Sequence, residues 1–179
     1  MANVFFNEPH HIFSWEKLGN IKEGREDLGE ELPVIVYRLL EYSMNHVLAE
    51  EYGVEQANEL FRKSGYLAGS ELAKNVLDLK LPLEAFIAQL QKVLKDLKIG
   101  ILRIEEIEEN AEIIILTVAQ DLDCSGLPPT DEVVCNYDEG FLAGVLEVYT
   151  KKSYLVREID CWASGARVCR FRCTAQKQQ

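Results

Sequence analysis

Four of the chain's five cysteines fall within residues 133–173, in the run VVCNYDEGFLAGVLEVYTKKSYLVREIDCWASGARVCRFRC, and any fold must find places for them. Cys161 and Cys169 each lie four residues from Gly165. An odd-length hairpin loop centred on that glycine sets them directly opposite each other, with Cβ atoms about 4.5–5.5 Å apart. That separation suits two thiolates on one metal, whose Zn–S bonds are about 2.3 Å. Glu158 precedes Cys161 by three residues, which turns it to the other face of an ideal strand. A bulge near Ile159 or Asp160 would bring it round. Cys135 stands at the expected start of a helix, where the dipole favours a thiolate. These residues are not a paired C-x-x-C, so their spacing leaves two readings open. One is a metal clasp, with zinc the leading ion, joining helix start to hairpin; the other is a set of ordinary buried cysteines. Cys173 lies about 13 Å along the strand from Cys169, too far to share its ion. Cys124, flanked by Asp121 and Asp123, reads as an inert spare thiol because the acids discourage its ionisation.

A chain of 179 residues, 47% of them apolar, suits one globular domain over its whole length. No run of 18 apolar residues is present, so no spanning helix and no membrane partner are expected. The start, MANVFFNEPHH, lacks the basic and apolar regions of a secretory signal. A cytoplasmic location follows as the expectation; there thiols stay reduced and disulfides are disfavoured. With 19 Lys+Arg against 30 Asp+Glu, the net charge of −11 repels phosphate backbones. No nucleic-acid partner is expected. The one basic cluster, Arg157, Arg167, Arg170 and Arg172, is placed to offset the two excess charges that three thiolates and a carboxylate leave on zinc. No G-x-G-x-x-G or G-x-x-x-x-G-K-[ST] occurs, so no nucleotide motif supports a reductase. His10, His11 and His46 have no partners at metal or triad spacing.

Hydrophobic period predicts helices over 34–50, 54–77, 83–96 and 134–149, the first opened by Pro33. Short β-branched runs at 99–104 and 113–119 predict two antiparallel strands, and 153–160 with 167–174 a terminal hairpin. Residues 11–21 alternate weakly and read as an edge strand or an arm; 24–33 and 121–132 read as loops, and the tail from Ala175 as frayed. The fold class is α+β: about four helices on a small antiparallel sheet, with a zinc-clasped C-terminal β-hairpin. Gly65-Tyr-Leu-Ala-Gly69 is echoed by Gly140-Phe-Leu-Ala-Gly144. Small residues at i and i+4 share a helical face, so each helix can press against another backbone; the echo reads as a shared packing role. Tyr42, Phe61, Phe86, Phe141 and Tyr149 are core by spacing, with a cavity as the alternative. Ile114, Glu139, Val145 and Val156 are the other candidate ligand contacts.

The pattern Cys135-Asn-Tyr-x-x-Gly140-Phe-Leu-Ala-Gly144, then Glu158-x-x-Cys161-x-x-x-Gly165-x-x-x-Cys169-Arg-Phe171, resembles the 4-vinyl reductase domain family. The resemblance is strongest over residues 135–173 and looser over 15–38 and the Gly65–Gly69 helix. The family includes sensor domains of phenol- and xylene-responsive transcription activators and a protein linked to bacteriochlorophyll synthesis. It is related in fold to heme nitric-oxide sensors and to subunits of Golgi tethering complexes. The resemblance implies zinc held by Cys135, Glu158, Cys161 and Cys169. It also implies a homodimer that binds or senses a small hydrophobic or aromatic molecule. No ATPase or DNA-binding segment accompanies the domain here, so it reads as stand-alone. No His–Trp pair suits a phenol hydroxyl. A tetrapyrrole-related reductase, or an accessory to one, is the enzymatic alternative, and a protein-interaction subunit the third.

Overall fold

The computed structural model describes residues 13–130 and 132–176. His10, His11 and the tail from Lys177 lie outside these. The chain divides into two compact units, Met1–Glu31 and Leu32–Gln179.

In the first unit a 3-10 turn spans Trp15–Leu18 and a one-turn helix α1 spans Ile21–Gly24. The strand expected over 11–21 is therefore absent from residue 13 onward. Asn20 decides against it: its Oδ1 accepts from Glu23 N at 3.2 Å, capping a helical turn where a strand would have to continue.

The second unit contains α2 (Val34–Tyr52), α3 (Val54–Val76), α4 (Leu83–Asp96), β1 (Ile101–Ile107), β2 (Ile113–Ala119), α5 (Asn136–Thr150), β3 (Tyr154–Asp160) and β4 (Cys169–Ala175). The strands form one antiparallel sheet in the order β1-β2-β4-β3. Every second residue faces inward: Ile114, Leu116 and Val118 on β2 meet Cys173, Phe171 and Cys169 on β4. Phe86, Leu90 and Leu94 of α4 and Leu142, Val145 and Leu146 of α5 complete this core. The expected α+β class, helix positions and strand positions match within a few residues.

The two glycine pentapeptides meet each other. A Cβ at Gly69 would stand 2.8 Å from the Phe141 carbonyl carbon, and one at Gly65 2.9 Å from Phe141 N. Reciprocally, Gly140 presses on Arg62 Cα (2.9 Å) and Gly144 on Ser70 N (2.8 Å). Small residues on both faces let α3 and α5 pack backbone to backbone, and this fixes α5, the helix that Cys135 begins.

Helix α2 forms where its period predicts, but its apolar face is not buried. Ile35, Leu39 and Leu40 are 62–64% exposed, and no residue of the helix is fully buried. The side turned to the protein is aromatic and polar, carrying Tyr37, Arg38, Glu41 and Tyr42. Arg38 donates to Leu122 O and Ser125 O, both at 2.8 Å. Tyr37 donates to Asp123 Oδ1 at 2.9 Å and Tyr42 to Asp123 O at 3.0 Å. Among the described residues no helix is long and apolar enough to cross a membrane.

Candidate metal centre and adjoining clefts

Three separate local structures deliver sulfur to one point. Cys135 is the N-cap residue of α5. Cys161 follows β3 directly and caps a 3-10 turn, Trp162–Ser164, which Gly165 closes at φ +94°. Only glycine takes that conformation without strain. Cys169 opens β4, and because Asp160 pairs with Arg170, the next step toward the loop sets Cys161 opposite Cys169. Cys135 Sγ lies 3.8 Å from Cys161 Sγ and 3.7 Å from Cys169 Sγ. The register shift required by the Glu158 spacing is present, between Glu158 and Asp160.

Glu158 is buried beside these sulfurs. Its Oε2 accepts from Cys135 N at 3.0 Å, and its own N–H donates to Glu139 Oε1 at 2.8 Å. Its Oε1 is buried with no hydrogen-bond partner among the described residues.

Cys124 is not a spare loop thiol. It is fully buried, and its Sγ stands 3.0 Å from Cys169 Sγ. The ligand atoms of Cys124, Cys135, Cys161 and Cys169 all lie within 4.8 Å of one another. An Asp turn aims this cysteine: Asp121 Oδ1 accepts from Asp123 N (2.9 Å) and Cys124 N (3.2 Å). The sequence shows that turn as D-L-D-C, but its approach to β4, 45 residues on, is tertiary. Cys173 stays outside the group, two rows along β4, and burial pushes its thiol up to about 12.

The sulfurs titrate as a set. Hydrogen bonds from Cys124, Cys135 and Cys169 hold the Cys161 thiol well below its ordinary range. Burial, then the charge of Cys161, pushes Glu158 up to about 8. Around them lies a second acidic group that sequence reading did not assemble: Asp121, Asp123 and Asp138, all buried, with half-buried Glu41. Burial, reinforced by Asp123 and Asp121, pushes Glu41 up to about 9, and burial with Asp121 pushes Asp123 up to about 7. Burial and the same two aspartates push Asp138 well above its ordinary range. Two of the four arginines expected to balance the sulfurs are engaged with carboxylates. Arg157 donates to Glu139, and Arg170 to Glu105 and Asp160.

The donor set fits zinc. A tetrahedron with bonds of about 2.3 Å has edges of about 3.8 Å. The separations of 3.8 and 3.7 Å match that edge. The Cys124–Cys169 separation of 3.0 Å is shorter than it. Bound zinc would supply a closed structural joint without an open position for hydrolysis.

Two clefts and one small cavity lie in the same unit as the centre. A cleft of about 310 Å³ between α2 and α3 is walled by apolar side chains including Met44, Leu60 and Phe61, with Glu41 its charged member. A groove of about 320 Å³ contains Glu139 and Val156 and is lined by charged side chains, with Glu59, Arg62, Lys63 and Arg157 among them. There Glu139 accepts from Arg62 Nε (2.5 Å) and Arg157 Nη1 (3.2 Å). Phe86, Ile114 and Val145 surround a cavity of only about 20 Å³. Tyr149 stacks on Phe86 with ring centres 3.8 Å apart and donates its hydroxyl to Leu81 O at 2.9 Å. The candidate ligand contacts are thus divided between two places.

Residues 114–175, which include Cys135, Cys161, Cys169 and Glu158, match the V4R domain. The uncharacterized protein MJ1642 of Methanocaldococcus jannaschii is 35% identical over 147 residues, covering 82% of this chain and 80% of that one. The chain belongs to the V4R-domain family. Cys124 also falls inside the matched span, so the whole sulfur cluster lies within the V4R region. Among solved structures, the V4R chain is similar in fold to the phenol-responsive sensory domain of the transcription activator PoxR with phenol. There the TM-score is 0.61 at 18% identity, covering 82% of this chain and 76% of that one. It is also similar to a trafficking protein particle complex subunit 3 from Naegleria fowleri covalently bound to palmitic acid. That match has a TM-score of 0.64 at 13% identity, covering 80% and 95% of the two chains.

Proposed function

We propose that this V4R chain is a cytoplasmic, zinc-clasped domain that binds and senses a small hydrophobic or aromatic molecule. Zinc is held at Cys135, Cys161 and Cys169, with a fourth donor beside them, where Glu158 stands as the candidate read from sequence. The clasp would join the terminal hairpin to the start of α5, and α5 in turn carries Tyr137 into the cleft between α2 and α3. The observation that carries the reading is that cleft: about 310 Å³, apolar, and wide enough for a small ring system or short chain. The fold is shared with a domain solved with phenol and a subunit solved with palmitic acid, which supports an apolar ligand. Rival seats use Phe86, Ile114, Val145 and Tyr149 around the small cavity, or Glu139 and Val156 in the polar groove.

The exposed apolar face of α2 supports a homodimer, since a contiguous patch of this kind on a free surface usually marks an interface. Methionine-methyl NMR tests the ligand seat directly, because Met44 is one of only two methionines and lines the cleft. Titrating toluene, phenol and a medium-chain fatty acid into zinc-loaded protein should shift the Met44 signal saturably. A saturable response confined to labelled Ile114 would move the seat to the core cavity. No response to any of the three at either position would refute ligand binding of this class.

A further inference from the structure

The identity of the fourth donor can be argued further, on the proposed reading that a metal occupies this centre. Three sulfurs converge from α5 and the terminal hairpin, and two groups compete to complete the tetrahedron. Glu158 spends Oε2 on the Cys135 N–H and keeps Oε1 without a partner, but neither oxygen belongs to the set lying within 4.8 Å of one another. The Cys124 sulfur does belong to that set and is fully buried.

Its position is built rather than incidental. The Asp121 carboxylate accepts both Asp123 N and Cys124 N, fixing the turn. Arg38 then grips the carbonyls of Leu122 and Ser125 on either side of that cysteine, both at 2.8 Å. A preorganised sulfur loses little freedom on ligation, and soft thiolates suit zinc better than a carboxylate does.

We propose that Cys124 is the fourth inner donor, making a four-thiolate centre with Cys135, Cys161 and Cys169. Glu158 then acts as a positioning residue whose carboxylate orients the Cys135 backbone at the start of α5. This assignment places the centre under the control of residues 121–125, a segment far from the hairpin in sequence.

X-ray absorption of the zinc-loaded wild-type chain reads the donors without any mutation. Four sulfurs at about 2.3 Å support the assignment, whereas three sulfurs with one oxygen at about 2.0–2.2 Å overturn it and leave the metal reading intact. Cobalt(II) titration of two variants supplies the second readout. Cys124→Ser should lose about a quarter of the thiolate-to-cobalt charge-transfer intensity, one donor in four, and weaken zinc binding at least about tenfold. Glu158→Gln should keep the wild-type spectrum while its affinity falls about 10–100-fold, as expected for a group one bond removed. The opposite pattern, with Glu158→Gln altering the spectrum and Cys124→Ser preserving it, also overturns the assignment. Failure of the wild-type chain to retain stoichiometric zinc or cobalt overturns the metal reading itself.

Discussion

Replacing Gly69 by alanine tests the α3–α5 contact on which the position of Cys135 depends. The new methyl would lie 2.8 Å from the carbonyl carbon of Phe141 and closer still to its oxygen. Ordinary contact begins at 3.4 Å, so the two helices must separate locally by more than half an ångström. The obstacle is main chain, which cannot rotate aside as a side chain could. Overpacking of this kind costs typically about 1–3 kcal/mol, and backbone against backbone belongs at the upper end. Alanine in place of glycine returns about 1 kcal/mol through helix propensity. The expected net loss is therefore about 2 kcal/mol, a fall in melting temperature of about 4–8 °C for a chain of this size. Urea denaturation of zinc-loaded protein measures it, with Gly24→Ala as the control because no atom lies within 4 Å of the position its methyl would take. Unchanged or increased stability in Gly69→Ala would show that the helices are not in backbone contact, and the argument placing α5 would fail.

Chelation of zinc at neutral pH should release the hairpin from α5, read as faster amide exchange at Val134–Asn136 and Cys161–Ala166 than in β2; uniform exchange would contradict a local clasp. Glu41→Gln tests the half-buried acid. The folded-state value of about 9 exceeds the ordinary 4.5, so the folded protein binds this proton more tightly than the unfolded chain. Its contribution to stability is greatest below about 4.5 and declines as pH rises toward about 9. Glutamine should flatten that decline, seen in urea midpoints at pH 5, 7 and 9, and an unchanged slope would assign the decline to other groups. Arg62→Ala removes one of two arginines on Glu139, whose side chain is 5% exposed. Because Arg157 remains, the expected cost is about 2–3 kcal/mol, below that of a fully broken buried pair; a change under about 0.5 kcal/mol would mean that Arg157 suffices. Leu39→Asp on the exposed face of α2 should shift sedimentation toward monomer without lowering the melting temperature of the isolated chain; an unaltered oligomeric state places any dimer contact elsewhere.

Periodic signals in this sequence read well because they report local geometry. The glycine echo announced two helix faces made for close approach, although nothing in the string said that they approach each other. The offset between Glu158 and Cys161 required a bulge, and the register shift lies there. What escaped reading was the direction of a face and the company of a loop. In α2 the period correctly gave a helix, but Arg38 and the tyrosines anchor its polar side inward and leave Leu39 and Leu40 in water. Cys124 escaped because its acidic neighbours argue against a thiolate locally, whereas Asp121 in fact spends its carboxylate on the backbone that aims the sulfur. Contacts between residues dozens of positions apart leave no period behind.

The short segment 121–125 has almost no slack. Arg38 holds it on one side, and on the other the Cys124 sulfur rests against β4. Any shift of α2 along its axis must therefore tug on sulfur, and any ion gripping that sulfur must steady the helix. Free energy would make such leverage mutual: an occupant of the cleft that favoured one setting of α2 would alter the hold on a bound metal by the same factor that the metal altered the hold on the occupant.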